Sequence, residues 1–272
     1  MSSDPTGAAP LVPTNFKRRR FATGRTVVAL LLREMSTQYG NSPGGYIWAL
    51  VEPLGAILML SLAFSLLVRN PPLGNDFLLF YATGFIPLNI FLSIHQAIGG
   101  ALGFSKPLLM YPTVTWLDAV TARFLLNSLS QAMVAYLLFT GISILSDTRS
   151  VLNMVPIILA ITEAMLLALG VGMVNCVLFG LFPIWSQVWG ILTRPLFLAS
   201  GVFFLYEGLP PMVQSLLWYN PIIHLTGTLR DGFYPTYNPT YISHLYVLGL
   251  SLGMILLGMI LLGRYHRDIL NR

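Results

Sequence analysis

Six stretches of this chain stay apolar for roughly 20 residues with almost no Lys, Arg or Asp, the length of helix that crosses a bilayer core about 30 Å thick. They fall at approximately 46–68, 77–99, 124–146, 151–181, 188–206 and 241–263. The charges inside them are Glu52, Glu163 and Arg194, the last near the start of the fifth run. The pattern predicts an all-α, polytopic membrane protein with six transmembrane helices.

Three segments between these runs carry patterns of their own. In 25–39, Val28, Leu31, Leu32, Met35 and Tyr39 recur at helical spacing while Thr26, Arg33 and Thr37 fall on the other side, which predicts an N-terminal amphipathic interface helix. The segment 100–123 is apolar yet holds Lys106, Asp118 and Arg123, and Pro107 and Pro112 break any continuous helix. It reads equally as a surface that docks a partner and as a short loop leading into the third span. The segment 207–240 is far longer than the usual connection of about 2–8 residues between helices. Pro210 and Pro211 open one short helix there, and Asn220 followed by Pro221 supplies the cap and first turn of a second. In the second, Ile222, Leu225, Leu229 and Phe233 form an apolar stripe, with His224, Thr228 and Asp231 off it. Two external re-entrant half-helices are expected, dipping back where protein or a water-filled cavity can satisfy their backbone.

Composition narrows the class. Hydrophobic residues make up 55% of the 272 positions and charged residues 9%, against about 25% charged in soluble domains, so lipid covers most of the surface. The net charge of +5 does not come from a basic stripe with interleaved aromatics, which excludes a nucleic-acid groove. It sets topology instead. Twelve basic residues (Lys17, Arg18, Arg19, Arg20, Arg25, Arg33, Lys106, Arg123, Arg194, Arg264, Arg267, Arg272) fall on the side of the N-terminus and three (Arg69, Arg149, Arg230) on the other, so both termini are expected in the cytoplasm. Residues 1–24 read as a flexible, retained cytoplasmic tail and 25–272 as a single transmembrane domain. Lone Cys176, inside an apolar run, reads as inert packing.

The catalytic inventory is sparse. Only two lysines occur, after Phe16 and Ser105, so no Gly-Lys-Ser/Thr loop can hold nucleotide phosphates. His95, His224, His244 and His266 lack metal-ligand spacing, and no Gly-x-Ser-x-Gly elbow is present. An enzyme is therefore not expected, and neither is a metal or a cofactor on this chain. Glu52 is read as accepting backbone or arginine hydrogen bonds where the surface helix meets the first span. Glu163 lies deeper and either pairs with a polar group on another helix or faces a pore. The aromatic residues suit the belts at the two membrane surfaces. Tyr46, Trp48, Phe203, Phe204 and Tyr206 could instead line a sugar pathway.

The order of parts resembles a known family. Arg33-Glu34-Met35 with Tyr39-Gly40, the run from Gly45 to Leu54, Ser200 to Phe204, Leu209-Pro210, Tyr219 to His224 and Arg230 to Phe233 follow the pattern of the permease subunits of polysaccharide-export ABC transporters. The likeness covers about 25–270. It is strongest to the capsular polysaccharide permeases and extends to those for O antigen and teichoic acid. The resemblance implies a lipid-linked capsular-type polysaccharide as substrate and the bacterial inner membrane as location. It also implies a second copy of the chain around a shared channel, and two copies of a cytoplasmic ABC ATPase subunit that bind ATP and Mg. A periplasmic envelope-spanning export protein is a further expected partner. Docking of the ATPase would fall on 100–118, with Lys106, Pro107, Leu108, Leu109 and Tyr111, and the first and fifth spans would line the channel. The segment 207–234 would form an outer gate with Pro210, Asn220, Pro221, His224, Arg230 and Asp231. His224 and Arg230 would either hold the hairpin, with Asp231 or Glu207 as the arginine's partner, or meet an anionic sugar. The rival readings are a secondary transporter or lipid flippase working without an ATPase and, more distantly, a membrane-embedded transferase.

Overall fold

The computed structural model describes residues 22–38, 47–110, 114–145 and 152–271. Tyr39, Tyr46, Tyr111, Pro112 and the tail up to residue 21 lie outside them. The described residues form helices α1 (Ala22–Gln38), α2 (Ile47–Leu67), α3 (Phe77–Gly99), α4 (Ala101–Leu109), α5 (Trp116–Leu145), α6 (Met154–Leu181), α7 (Trp185–Ala199), α8 (Pro211–Leu217), α9 (Pro221–Phe233) and α10 (His244–Asn271), with a 3-10 turn at Tyr206–Gly208. The fold is all-α, as the periodicity predicts. Among the described residues, five helices are long and apolar enough to cross a membrane: α2, α3 running on into α4, α5, α6 and α10.

Helix α6 is the centre of the packing, because glycines let its neighbours approach the backbone. A Cβ on Gly170 would stand 2.9 Å from the Ser251 carbonyl oxygen and 3.0 Å from the Ile255 nitrogen of α10. One on Gly172 would stand 3.0 Å from the His95 carbonyl oxygen of α3. Between apolar helices in lipid, association rests on such close contact rather than on exclusion of water. Gly170→Ala should therefore push α10 away and lower stability by about 1–3 kcal/mol. Gly249→Ala, whose Cβ meets nothing within 4 Å, should leave the melting temperature of the purified protein unchanged, and equal melting of the two variants would count against close packing.

Several expected boundaries shift. The third long helix starts at Trp116 rather than 124, since Asp118 and Arg123 both find partners. Thr115 and Asp118 make a capping box: the Asp118 amide donates to Thr115 Oγ1 (3.2 Å) and the Thr115 amide donates to Asp118 Oδ2 (2.9 Å). With 30 residues, α5 is about 45 Å long and extends beyond the hydrocarbon core. Helix α4 continues past Gly100 and contains Pro107. The bond that proline removes is the one to the carbonyl of Gly103, which is exposed.

The expected span at 188–206 is not one continuous helix. Helix α7 has 15 residues, about 22 Å, and ends where Gly201 takes a φ of 74°, open to glycine without strain. Beyond it the chain goes on as irregular backbone beside α3. Trp189 reaches His95, Phe197 meets Phe85 (6.3 Å between rings), and Phe203 meets Tyr81 (6.4 Å). Arg194 consequently lies alongside the middle of α3 and exposed, not at the end of the span where the charge count set it.

Helix α1 packs on α5 through buried Leu30 and Glu34, while Val28, Leu32 and Met35 are exposed. The expected apolar stripe thus points away from the protein, where a membrane surface can take it up.

Candidate functional site

The end of the molecule that carries α1 and α4 is organised by Arg123. Its Nε lies 2.6 Å from Glu34 Oε1, its Nη1 donates to the Ala97 carbonyl (2.6 Å), and its guanidinium stands 4.3 Å above the Phe104 ring. Arg33 covers the same ring from 5.3 Å. One partly buried cation therefore joins α1, α3, α4 and α5. Burial raises the Glu34 carboxyl above the ordinary carboxylate range, against the pull of Arg123. Beyond this knot, α4 ends in half-buried Lys106, exposed Pro107 and half-buried Leu108 and Leu109. Leu109 lines an apolar hollow with Trp116 and His266. Glu34 and Phe104 were not among the expected site residues. A buried carboxylate on the polar side of an amphipathic helix leaves no mark in an apolar stripe.

Glu52 is exposed and, among the described residues, no arginine or backbone group pairs with it; the junction of the surface helix with the first span, where a tether is expected, lies at 39–46, outside the described residues. It lines a cleft of about 300 Å³ with Asn89, Ser93, Gln96, Asn127 and Gln131, between α2, α3 and α5. These polar residues were not among the expected site residues; the signal that could have found them is that Asn89, Ser93 and Gln96 share one face of α3, and Asn127 and Gln131 one face of α5. Of the expected pathway aromatics, Trp48 is 55% exposed one turn from Glu52. Phe203 is half-buried against Phe64 (5.5 Å) and Phe197 (5.1 Å). Phe204 is half-buried, and Tyr206 stacks on Tyr241 at 4.1 Å. Helix α7 has no buried residue. Two indoles pin it, Trp185 Nε1 donating to Asn175 Oδ1 (3.1 Å) and Trp189 Nε1 to His95 Nε2 (2.8 Å).

Glu163, 1% exposed, pairs with His244 Nδ1 at 3.0 Å, which favours the reading of a polar partner on another helix. At the same end, α8 follows Pro210 and α9 follows Asn220. Asn220 Oδ1 accepts from the Ile222 amide (3.1 Å) and its Nδ2 donates to the Ala199 carbonyl (2.9 Å), so it caps α9 and ties it to α7. Asn220→Ala should cost about 0.5–2 kcal/mol in the chemical unfolding of the purified protein; an unchanged midpoint would show the cap to be idle.

Contrary to the expected single apolar face, α9 is buried nearly all round, with Asp231 half-buried. The Ser243 amide donates to His224 Nδ1 (3.3 Å), so Nε2 carries the proton and donates to the Trp218 carbonyl (2.8 Å). Burial lowers the tendency of this ring to take a second proton. Arg230 does not pair with Asp231 or Glu207. Its Nη1 donates to the Phe204 carbonyl (2.9 Å) and Nη2 to that of Val202 (3.4 Å), while Phe80 lies 4.2 Å from the guanidinium. Glu207 instead accepts from the Tyr237 hydroxyl (3.1 Å).

The sequence has close counterparts among characterised membrane proteins. The polysialic acid transport protein KpsM of Escherichia coli is 31% identical over 212 residues, 78% of this chain and 82% of that protein. The capsule polysaccharide export inner-membrane protein BexB of Haemophilus influenzae is 27% identical over 257 residues, 94% of this chain and 97% of its own. The capsule polysaccharide export inner-membrane protein CtrC of Neisseria meningitidis serogroup B is 25% identical over 245 residues, covering 90% and 92%. The sequence model of the ABC-2 type transporter family matches residues 25–234. With that match running from α1 through α9, the chain belongs to the ABC-2 type transporter family of membrane proteins.

Proposed function

We propose that this chain is the membrane-spanning permease of an ABC exporter that moves a lipid-linked capsular-type polysaccharide across the bacterial inner membrane. Two copies enclose the path, and two copies of a cytoplasmic ATPase, binding ATP and Mg, drive it through the end bearing α4. Both termini are cytoplasmic: with Arg194 moved to mid-span, eleven basic residues still oppose three. The relatives named above support the substrate class.

One observation carries the reading. Helix α2 buries only Pro53 and Ile57, α7 buries nothing, and each shows a charge at membrane depth, Glu52 and Arg194. Lipid disfavours such groups, whereas a second copy and a water-filled path accommodate them. In a strain lacking the gene, surface glycan should disappear and lipid-linked glycan accumulate inside the cell. The purified permease should copurify with a Walker-motif ATPase and translocate that glycan in proteoliposomes only with ATP. Translocation driven by a proton gradient without the ATPase would overturn the assignment.

A further inference from the structure

The cleft between α2, α3 and α5 holds a set of polar side chains that the packing of the helices uses only in part. Asn89 Nδ2 donates to Gln131 Oε1 (3.2 Å) and Asn127 Nδ2 to the Arg123 carbonyl (2.9 Å). These bonds fix both asparagines and leave their Oδ1 atoms and the Gln131 amide nitrogen for a guest. Among the described residues, Glu52, Ser93 and Gln96 make no side-chain hydrogen bond at all. Polar groups are costly at membrane depth unless they meet water, protein or a ligand, and six on three helices around one void are more than helix association needs. The volume, about 300 Å³, is at the low end of the range for small-molecule sites.

The chemistry of the wall selects among guests. Carboxylate and amide oxygens accept while amide nitrogens and a hydroxyl donate, and a sugar ring answers both through hydroxyls that donate and accept at once. A phosphate or acidic sugar would meet a carboxylate with no cation among the described residues that line the cleft. The guanidinium one turn from Asn127, that of Arg123, is already held by Glu34 at 2.6 Å. Trp48, 55% exposed, precedes Glu52 by one turn of α2. We propose that the cleft is a subsite for an uncharged sugar unit of the passing glycan, with Glu52 as the chief acceptor of its hydroxyls. This rests on the export reading above and deepens it: the subsite favours neutral over acidic units.

The test uses the full-length permease assembled with its ATPase in nanodiscs of phosphatidylethanolamine with or without phosphatidylglycerol, as a Cys176→Ser, Gln96→Cys variant labelled with a small maleimide. Maltoheptaose, a neutral probe, should slow labelling, and an oligosialic acid of similar length should not. Adding Glu52→Gln, which keeps the shape and removes the charge, should raise the half-protecting maltoheptaose concentration about tenfold with an unchanged melting temperature. No protection by maltoheptaose, equal protection by both probes, or protection that follows only the phosphatidylglycerol content of the disc would each overturn the subsite. If glycan export in proteoliposomes persists while protection is absent, the subsite alone falls; if ATP-driven export is absent, the export reading falls with it.

Discussion

Replacing Glu34 with alanine is expected to lower the unfolding free energy by about 3–5 kcal/mol, the range for stranding one member of a buried ion pair. The side chains of Arg123 and Glu34 are only 11% and 6% exposed, so solvent screens their attraction weakly. Without the carboxylate, the guanidinium retains the Ala97 carbonyl and the Phe104 ring, neither of which neutralises it. The double variant Glu34→Leu, Arg123→Met should recover most of the loss, because it removes the stranded charge and keeps apolar volume between α1 and α5. Thermal unfolding of the purified variants measures both effects. A double variant as unstable as Glu34→Ala would show that packing, not charge, is at stake. Since α1 and α4 both hang on Arg123, Glu34→Ala should also uncouple ATP hydrolysis from transport in the proteins that remain folded.

The apolar runs made most of the fold legible, because a helix in lipid must be apolar for its whole length and needs no further signal. Legibility failed where a residue's environment is made by a distant partner. Asp118 and Arg123 look too polar for a membrane helix until the capping box and Glu34 are known, so the start of α5 was placed eight residues late. The run at 188–206 is apolar enough for a span, but hydropathy does not register that Gly201 turns the chain or that Arg230 holds the turn. The charge pattern showed that Arg230 was notable and pointed to the wrong partner, since local carboxylates are visible in a sequence and backbone carbonyls are not. The polar cleft failed for another reason. Asn, Ser and Gln within an apolar run lower hydropathy only slightly, and their shared faces emerge when α3 and α5 are set side by side.

Arg230→Lys is expected to loosen the turn that follows α7 while leaving the rest of the fold intact. Arg230 is 2% exposed, and among the described residues no carboxylate pairs with it. Its charge is balanced by the carbonyls of Phe204 and Val202 and by the face of Phe80. The planar fork reaches two carbonyls two residues apart on one strand of irregular backbone, and in doing so holds Gly201 to Leu205 against α9. Close contact with α3 adds to this, since a Cβ on Gly84 would stand 2.9 Å from the Val202 Cα and 3.1 Å from Arg230 Nη2. A lysine keeps the charge but offers a compact ammonium without the fork or the stacking plane. Losing one charge-assisted bond and the ring contact should cost about 3 kcal/mol locally, equivalent to about a hundredfold faster amide exchange at residues 202–206. Exchange in α6 around Gly170 and Gly172 should be unaffected, because the packing there is on α10 and α3 and does not pass through this arginine. Export should fall in the same variant if the turn must stay closed between transport events. Unchanged exchange at 202–206 would mean that the turn is held by its ring contacts, Phe203 with Phe64, Tyr81 and Phe197, and that the arginine serves α9 alone.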